Sequence, residues 1–308
     1  MKRLSPIAAA IILAFGIHTS VFADGSSATV SQDGSGNSAT VTQTDVPNGV
    51  NAAVSQSGNN NTATVTQQNS TMNMTATVDT TGNSNSATIL QDDSWNAVGN
   101  IIQNGNTGSA SINQTGFSDN STASINQTSL SGVQATIDQT GAFSSSASIL
   151  QEDYLIGATA AITQTGGNHS ASISQGYDGG YADYADAAID QSGSGQQASI
   201  AQYGAFEGTA SVVQTGSDHV ADISQSSNYS YAYINQQDSE NSASIMQSGE
   251  YNLASIGQSS TGNMAWINQS GVGASDNYNQ AYISQVTPNN SATINQAGGG
   301  GNFASISQ

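Results

Sequence analysis

The residues whose types could do chemistry are two histidines, a set of carboxylates and a long series of glutamines. His169 and His219 are the histidines beyond residue 23. A general base needs a partner that organises it. Each of these instead follows a turn pair, Gly167-Asn168 or Ser217-Asp218, and precedes a strand-like segment. Both are therefore expected as solvated turn side chains. No Gly-x-Ser-x-Gly elbow lies between a strand and a helix. The glycines at 298–301 lack the following helix and lysine that would hold a phosphate. Asp92-Asp93 and Glu152-Asp153 offer oxygens of the kind calcium takes. The Gly-Gly-x-Gly-x-Asp pattern of calcium-binding β-rolls is absent, so solvated charge that limits aggregation is the preferred reading. Tyr177, Tyr181 and Tyr184 cluster with Asp178, Asp183 and Asp186 before Ala187. They form either an adhesive patch or an insertion tolerated at a loop tip. The sequence thus points to no catalytic residue, metal ligand or cofactor, and to a protein that is not an enzyme.

The glutamines differ because they recur. A side-chain amide both donates and accepts, so copies stacked above one another can bond to each other. Here Gln closes a five-residue pattern, Ala-x-Ile/Val-x-Gln, that appears 24 times from Ala28 to Gln308. Its central residue is always Ile or Val; Gly99 and Thr80 are the exceptions at its two ends. Units follow one another at steps of 11 to 16 residues, 11 being the commonest. A period of two means a strand with Ala, Ile/Val and Gln on one face and mostly Ser, Thr and Asn on the other. Turns rich in Gly, Asn, Ser and Asp separate the strands, as at residues 33–37, 57–61 and 192–195.

Each unit carries a single apolar anchor, which a parallel stack buries directly. The expected fold is all-β: a β-solenoid of about 12 two-stranded coils, with two parallel in-register sheets about 4.8 Å from coil to coil. Odd strands form one sheet and even strands the other, so the outward acids Asp79, Asp138, Asp190 and Asp222 do not stack on each other. The inward ladder expected to carry self-assembly includes Val30, Gln32, Val41, Gln43, Val54, Gln56, Val65, Gln67, Ile112, Gln114, Ile173, Gln175, Ile256, Gln258, Ile294, Gln296, Ile306 and Gln308. The array starts and finishes in strands, without the caps of soluble solenoids, so both ends are expected to template another copy.

Charge narrows the function further. Lys2 and Arg3 are the only basic residues, and all 21 acids follow them. A phosphate-binding surface needs Lys or Arg, so nucleic acid and anionic membranes are excluded as partners. With Lys2, Arg3, the apolar run from Ile7 to Phe15 and small residues ending at Ala23, residues 1–23 are expected to be a secretion signal. Residues 24–308 then form one repeat domain, and no segment is long and apolar enough for a membrane span. There is no cysteine to staple it.

The stretch Gln32-Asp33-Gly34-Ser35-Gly36-Asn37-Ser38-Ala39-Thr40-Val41-Thr42-Gln43 resembles the curlin repeat, Q-x-G-x-x-N-x-A-x-x-x-Q. Near-copies occur at 56–67, 247–258 and 269–285, and Asn stands two residues before Ala in nine units. The resemblance covers essentially all of 24–308. It implies a subunit of curli, the amyloid fibres of bacterial surfaces, with roles in biofilm matrix and adhesion. It also implies a nucleator subunit and an outer-membrane secretion channel as partners. The array is longer than is typical of the family and lacks the Gly/Asn-rich segment that usually precedes the first repeat. It also lacks the basic residues of the minor subunit, which favours the fibre-building role. A different function on the same scaffold is a secreted binding protein, an ice-binding solenoid or an adhesin. The regular outward Thr rows this needs begin at Thr40/Thr42 and Thr64/Thr66 but do not persist. A polysaccharide-cleaving β-helix is disfavoured by the short coils and the lack of a carboxylate cluster with basic partners.

Overall fold

The computed structural model describes residues 9–13, 20–21, 25–46, 49–70, 72–153, 155–176 and 182–308. These residues form strands and turns and contain no helix. Strands run from β1 (Ala9–Leu13) and β2 (Ser20–Val21), through β3 (Ser27–Ser35) and β4 (Ser38–Thr44), to β25 (Ser291–Gln296) and β26 (Phe303–Ser307). From β3 onward they alternate between two sheets, odd in one and even in the other. Each sheet has 13 strands, of which the first is antiparallel and the other twelve are parallel. The chain is a β-solenoid of the expected kind.

Register follows the repeat. Ala63 lies between Ala39 and Ala87, Val65 between Val41 and Ile89, and Gln67 between Gln43 and Gln91. One slip would turn every apolar residue outward, so a single buried stripe fixes all the pairings. That stripe is one continuous core from Ala28 to Ile294, with Ala304 and Ile306 packed at its end. The outward residues include Asp79, Asp138, Asp190 and Asp222, none paired with another acid. Outward threonines form a row over Thr40, Thr64 and Thr88, but beside it Thr42 and Thr66 are followed by Leu90.

The two edges of the solenoid are built differently, and they exchange roles midway. In the first four coils the turn after the odd strands is tight, and Gly34, Gly58, Gly82 and Gly105 stack there. Gly58 has φ +110°, and an added Cβ would strike the carbonyl oxygen of Gly82. Further along, the tight turn follows the even strands instead, with Gly166, Gly193 and Gly216 stacked. Wider arcs fill the opposite edge in each half. They hold small apolar clusters of their own: Val46, Val50 and Met74 early, then Val133, Leu155, Ala158, Ala182 and Ala185.

The expected signal at 1–23 falls largely outside the described residues. Of it, β1 lies antiparallel along β4, Leu13 opposite Ala39, and β2 lies antiparallel along β3.

The apolar stack sets a sharp contrast between faces. Ile137 is fully buried between Ile112 and Ile162, whereas Thr136 beside it is exposed. Ile137→Ala is expected to cost about 2–5 kcal/mol, and Thr136→Ala within about 0.5 kcal/mol. Urea unfolding of the two variants measures the difference; equal losses would mean the faces are reversed.

Candidate functional site

The feature that sets this solenoid apart runs its whole length: stacked side-chain amides inside the coil. In the even sheet, Nε2 of each glutamine donates to Oε1 of the next from Gln43 to Gln308, at 2.8–3.1 Å. In the odd sheet, Gln32 donates to Gln56 at 2.6 Å, and the row resumes from Gln103 to Gln296 at 2.7–2.9 Å. The second Nε2 hydrogen reaches across the coil to the other sheet. Gln67 bonds Asn51 O at 3.1 Å, and Gln236 bonds Val220 O at 3.0 Å. Where the row is unbroken, an amide therefore ties its own coil shut and joins it to the next. A buried amide left unpaired costs about 1–3 kcal/mol; here its copies satisfy it.

Of the sequence-derived ladder residues, Val30, Val41, Val54, Val65, Ile112, Ile173, Ile256 and Ile294 are buried. Gln43, Gln56, Gln67, Gln114, Gln175, Gln258 and Gln296 are buried beside them. Gln32 and Ile306 are half-buried and Gln308 is exposed, because they lie in the terminal coils. Thr80 interrupts the odd row. Its side chain is too short to bridge Gln56 and Gln103, and the buried Oε1 of Gln103 has no partner among the described residues.

A second inward column stands two residues before each Ala. Asn37, Asn61 and Asn85 fill it at the first tight edge. Oδ1 of each accepts the backbone N–H one coil along, at 2.9–3.0 Å: Asn61, Asn85 and Gly108 in turn. Nδ2 of each donates to a carbonyl of its own turn, four residues back. The column thus closes the tight turn in the same way that glutamine closes the strand. Ser121 and Ser145 serve it at the other edge, followed by His169, Gln196, His219, Asn241 and Asn263.

This corrects the expectation for the histidines. His169 and His219 are only 2% and 0% exposed, because they stand where the column requires an inward polar group. His219 Nε2 lies 3.1 Å from Thr215 O, and its Nδ1 accepts Asn241 N–H at 3.3 Å. These partners select the neutral tautomer with the proton on Nε2. His169 Nε2 likewise lies 3.1 Å from Thr165 O. Burial lowers both pKa values, against a smaller opposing pull from backbone carbonyls and, at His219, from Asp218 and Asp238. The signal for their burial was the spacing itself, since both stand two residues before an Ala, as Asn does elsewhere.

Among the described residues there is no group of three or more His, Cys, Asp or Glu that could hold a metal ion. Of the tyrosine cluster, Tyr184 is placed, while residues 177–181 lie outside the description. Tyr184 begins a row of rings along one edge that sequence reasoning did not find.

The repeat geometry has a counterpart among known families. Residues 239–271 match the curlin associated repeat. The matched span holds β21 (Ser242–Gln247), β22 (Asn252–Gln258) and β23 (Met264–Gln269). It also includes Asn241, Asn252 and Asn263 of the second column, so the matched span is three strands with both amide columns. No curated protein matches the chain at a significant level.

The interrupted row gives a direct test. Thr80→Gln is expected to restore it and to stabilise the chain by about 1 kcal/mol, read as a higher urea midpoint. A lower midpoint would show that Thr80 is needed where it stands.

The histidines give a pH dependence whose sign follows from their lowered pKa values. Below about 6.5 the unfolded chain takes up protons that the buried rings resist. Their contribution is complete above pH 6.5 and is lost as pH falls from there towards the lowered folded values. The double variant His169→Asn/His219→Asn is expected to lose less stability between pH 7.5 and 5 than the native chain. Equal losses would show that the rings do not titrate on unfolding.

Proposed function

We propose that this chain is a secreted, self-assembling subunit of an extracellular, curli-like amyloid fibre on a bacterial surface, serving biofilm matrix and adhesion. The observation that carries the reading is the amide ladder. It is directional: the glutamine-to-glutamine bonds are all donated from Nε2 towards the C-terminal coil. A second copy stacked end to end continues it, Gln308 onto Gln43 and Gln296 onto Gln32. The same contact continues the backbone ladders, since β25 and β26 each have a neighbour on one side only. The ladder residues from Val30 to Gln308 are then the self-assembly surface as well as the core.

In this reading residues 1–23 are the secretion signal and 24–308 the fibre-forming domain. The signal's β1 and β2 lie on the first edges of β4 and β3, so cleavage after Ala23 frees both for pairing. A nucleator subunit and an outer-membrane channel are the partners that the curlin repeat suggests. The solenoid acts by stacking and not by catalysis.

Charge sets the rate of joining. The domain carries 21 acids and no Lys or Arg, so copies repel one another while their ends attract. At 1 M salt the Debye length falls to about 3 Å, and near pH 4 carboxylates begin to take protons. A dye-monitored time course of residues 24–308, with electron microscopy of the products, tests the reading. High salt at pH 7.5 is expected to shorten the lag, and pH 4.5 to shorten it provided the fold survives. Replacing Gln43, Gln296 and Gln308 should slow assembly much more than replacing outward Thr42, Asn295 and Ser307. A chain that stays monomeric throughout would overturn the proposal, and a strict need for calcium would overturn the reading of the acidic turns.

A further inference from the structure

Five aromatic rings occupy one edge of the solenoid on five successive coils. Tyr184 meets Phe206 at 6.1 Å between centroids, Phe206 meets Tyr229 at 5.5 Å, and Tyr229 stacks on Tyr251 at 4.9 Å with 7° between planes. Tyr278 continues the row 5.6 Å from Tyr251. Four coil steps give the row a length of about 19 Å.

Its backbone setting is unusual. Tyr184, Tyr229 and Tyr251 have φ of 55°, 53° and 55°, a left-handed conformation that suits Gly and Asn and costs other residues energy. Other coils put Gly36, Asn60 or Ser84 at the equivalent place. Tyr184 is 53% exposed, and the other four rings are half-buried.

Carboxylates are interleaved with the rings. Glu207 and Glu250 are exposed, and Asp183 is half-buried. Asn228 Nδ2 donates to Glu250 Oε1 at 3.2 Å, holding that acid beside Tyr229. Burial raises the pKa of Tyr229, with smaller contributions from Glu207, Tyr251 and Glu250, so their negative charge reaches the ring. No cation beyond Arg3 exists in the chain to neutralise them. A second copy, equally acidic, is the wrong occupant for this row.

We propose that the row is a docking surface for an extended, arginine- or lysine-rich polypeptide segment of about six residues. Its cations lie on the ring surface left open, as at Tyr184, and pair with the carboxylates between the rings. This surface lies along the side of the coil and is independent of end-to-end assembly.

The test uses the full chain, kept below the concentration at which it assembles, and a fluorescent hexa-arginine peptide at fixed salt. Tyr184→Asn/Tyr229→Asn/Tyr251→Asn removes three of the five rings and supplies the residue this backbone favours, so the fold is retained and its melting temperature checks that. Asp183→Asn/Glu207→Gln/Glu250→Gln keeps the rings and removes the charge. Asp33→Asn/Asp45→Asn/Asp92→Asn removes equal charge elsewhere. The first two sets are each expected to weaken binding about tenfold, and the third by less than about twofold. Unchanged binding in the ring variant, or an equal loss in the distant one, would show only diffuse acidity and overturn the proposal. So would undiminished binding together with a lowered melting temperature in the ring variant, which would make the rings packing alone. A neutral glucan oligomer that binds the row whether or not the carboxylates are present, while the peptide does not, would also overturn it, in favour of a carbohydrate surface.

Discussion

The structure depends on one constraint: a buried amide must find partners for both its oxygen and its nitrogen. A solenoid answers this by repetition. Except at the terminal coils and beside Thr80, each glutamine meets a copy of itself above and below, and it spends its remaining hydrogen on the opposite strand. Any other inward polar residue faces the same rule; Asn, Ser and His219 meet it in the second column, while His169 leaves its Nδ1 unpaired among the described residues. The interior can therefore be half polar with few unpaired groups, Gln103 Oε1 and His169 Nδ1 among them, and the apolar content needed per coil falls to one Ile or Val with its Ala. This is why a chain so poor in large side chains can hold a continuous core.

The same constraint explains what the sequence disclosed. The strands, the two-sheet alternation and the register were all legible, because Ala, Ile/Val and Gln recur at a period of two and fixed order. The ladder through Gln43, Gln67 and Gln91 needed no more than the assumption that copies stack. The turns were less legible. Asn before Ala was visible as a repeated letter, but its inward direction depends on how tightly the arc closes. That closure is a property of the backbone and not of residue type, so His169 and His219 looked like solvated turn residues when they are buried. The alternation of 11-residue and longer steps marks the tight edge from Ala28 to Ala110, but the five steps from Ala210 to Ala265 are all 11 and do not distinguish the edges.

The aromatic row was hidden for a different reason. Its members come from separate turns and have neighbours of different kinds: Ala182-Asp183 before Tyr184, Ser227-Asn228 before Tyr229, Gly249-Glu250 before Tyr251. Only stacking brings them together. Residues on the turns of a solenoid form rows as surely as those on its strands, though without a motif to announce them.

The exchange of tight and wide edges has a consequence for any fibre built from this chain. A stack of near-identical coils has almost no longitudinal landmark, since its density repeats at the strand spacing. Here the broad side of the coil lies at one edge in the first half and crosses to the other in the second. Each subunit is thereby marked once along its length, and the mark reads differently upwards and downwards. Image reconstruction of such a filament has a handle on both subunit boundary and direction of travel, which a uniform array would deny it.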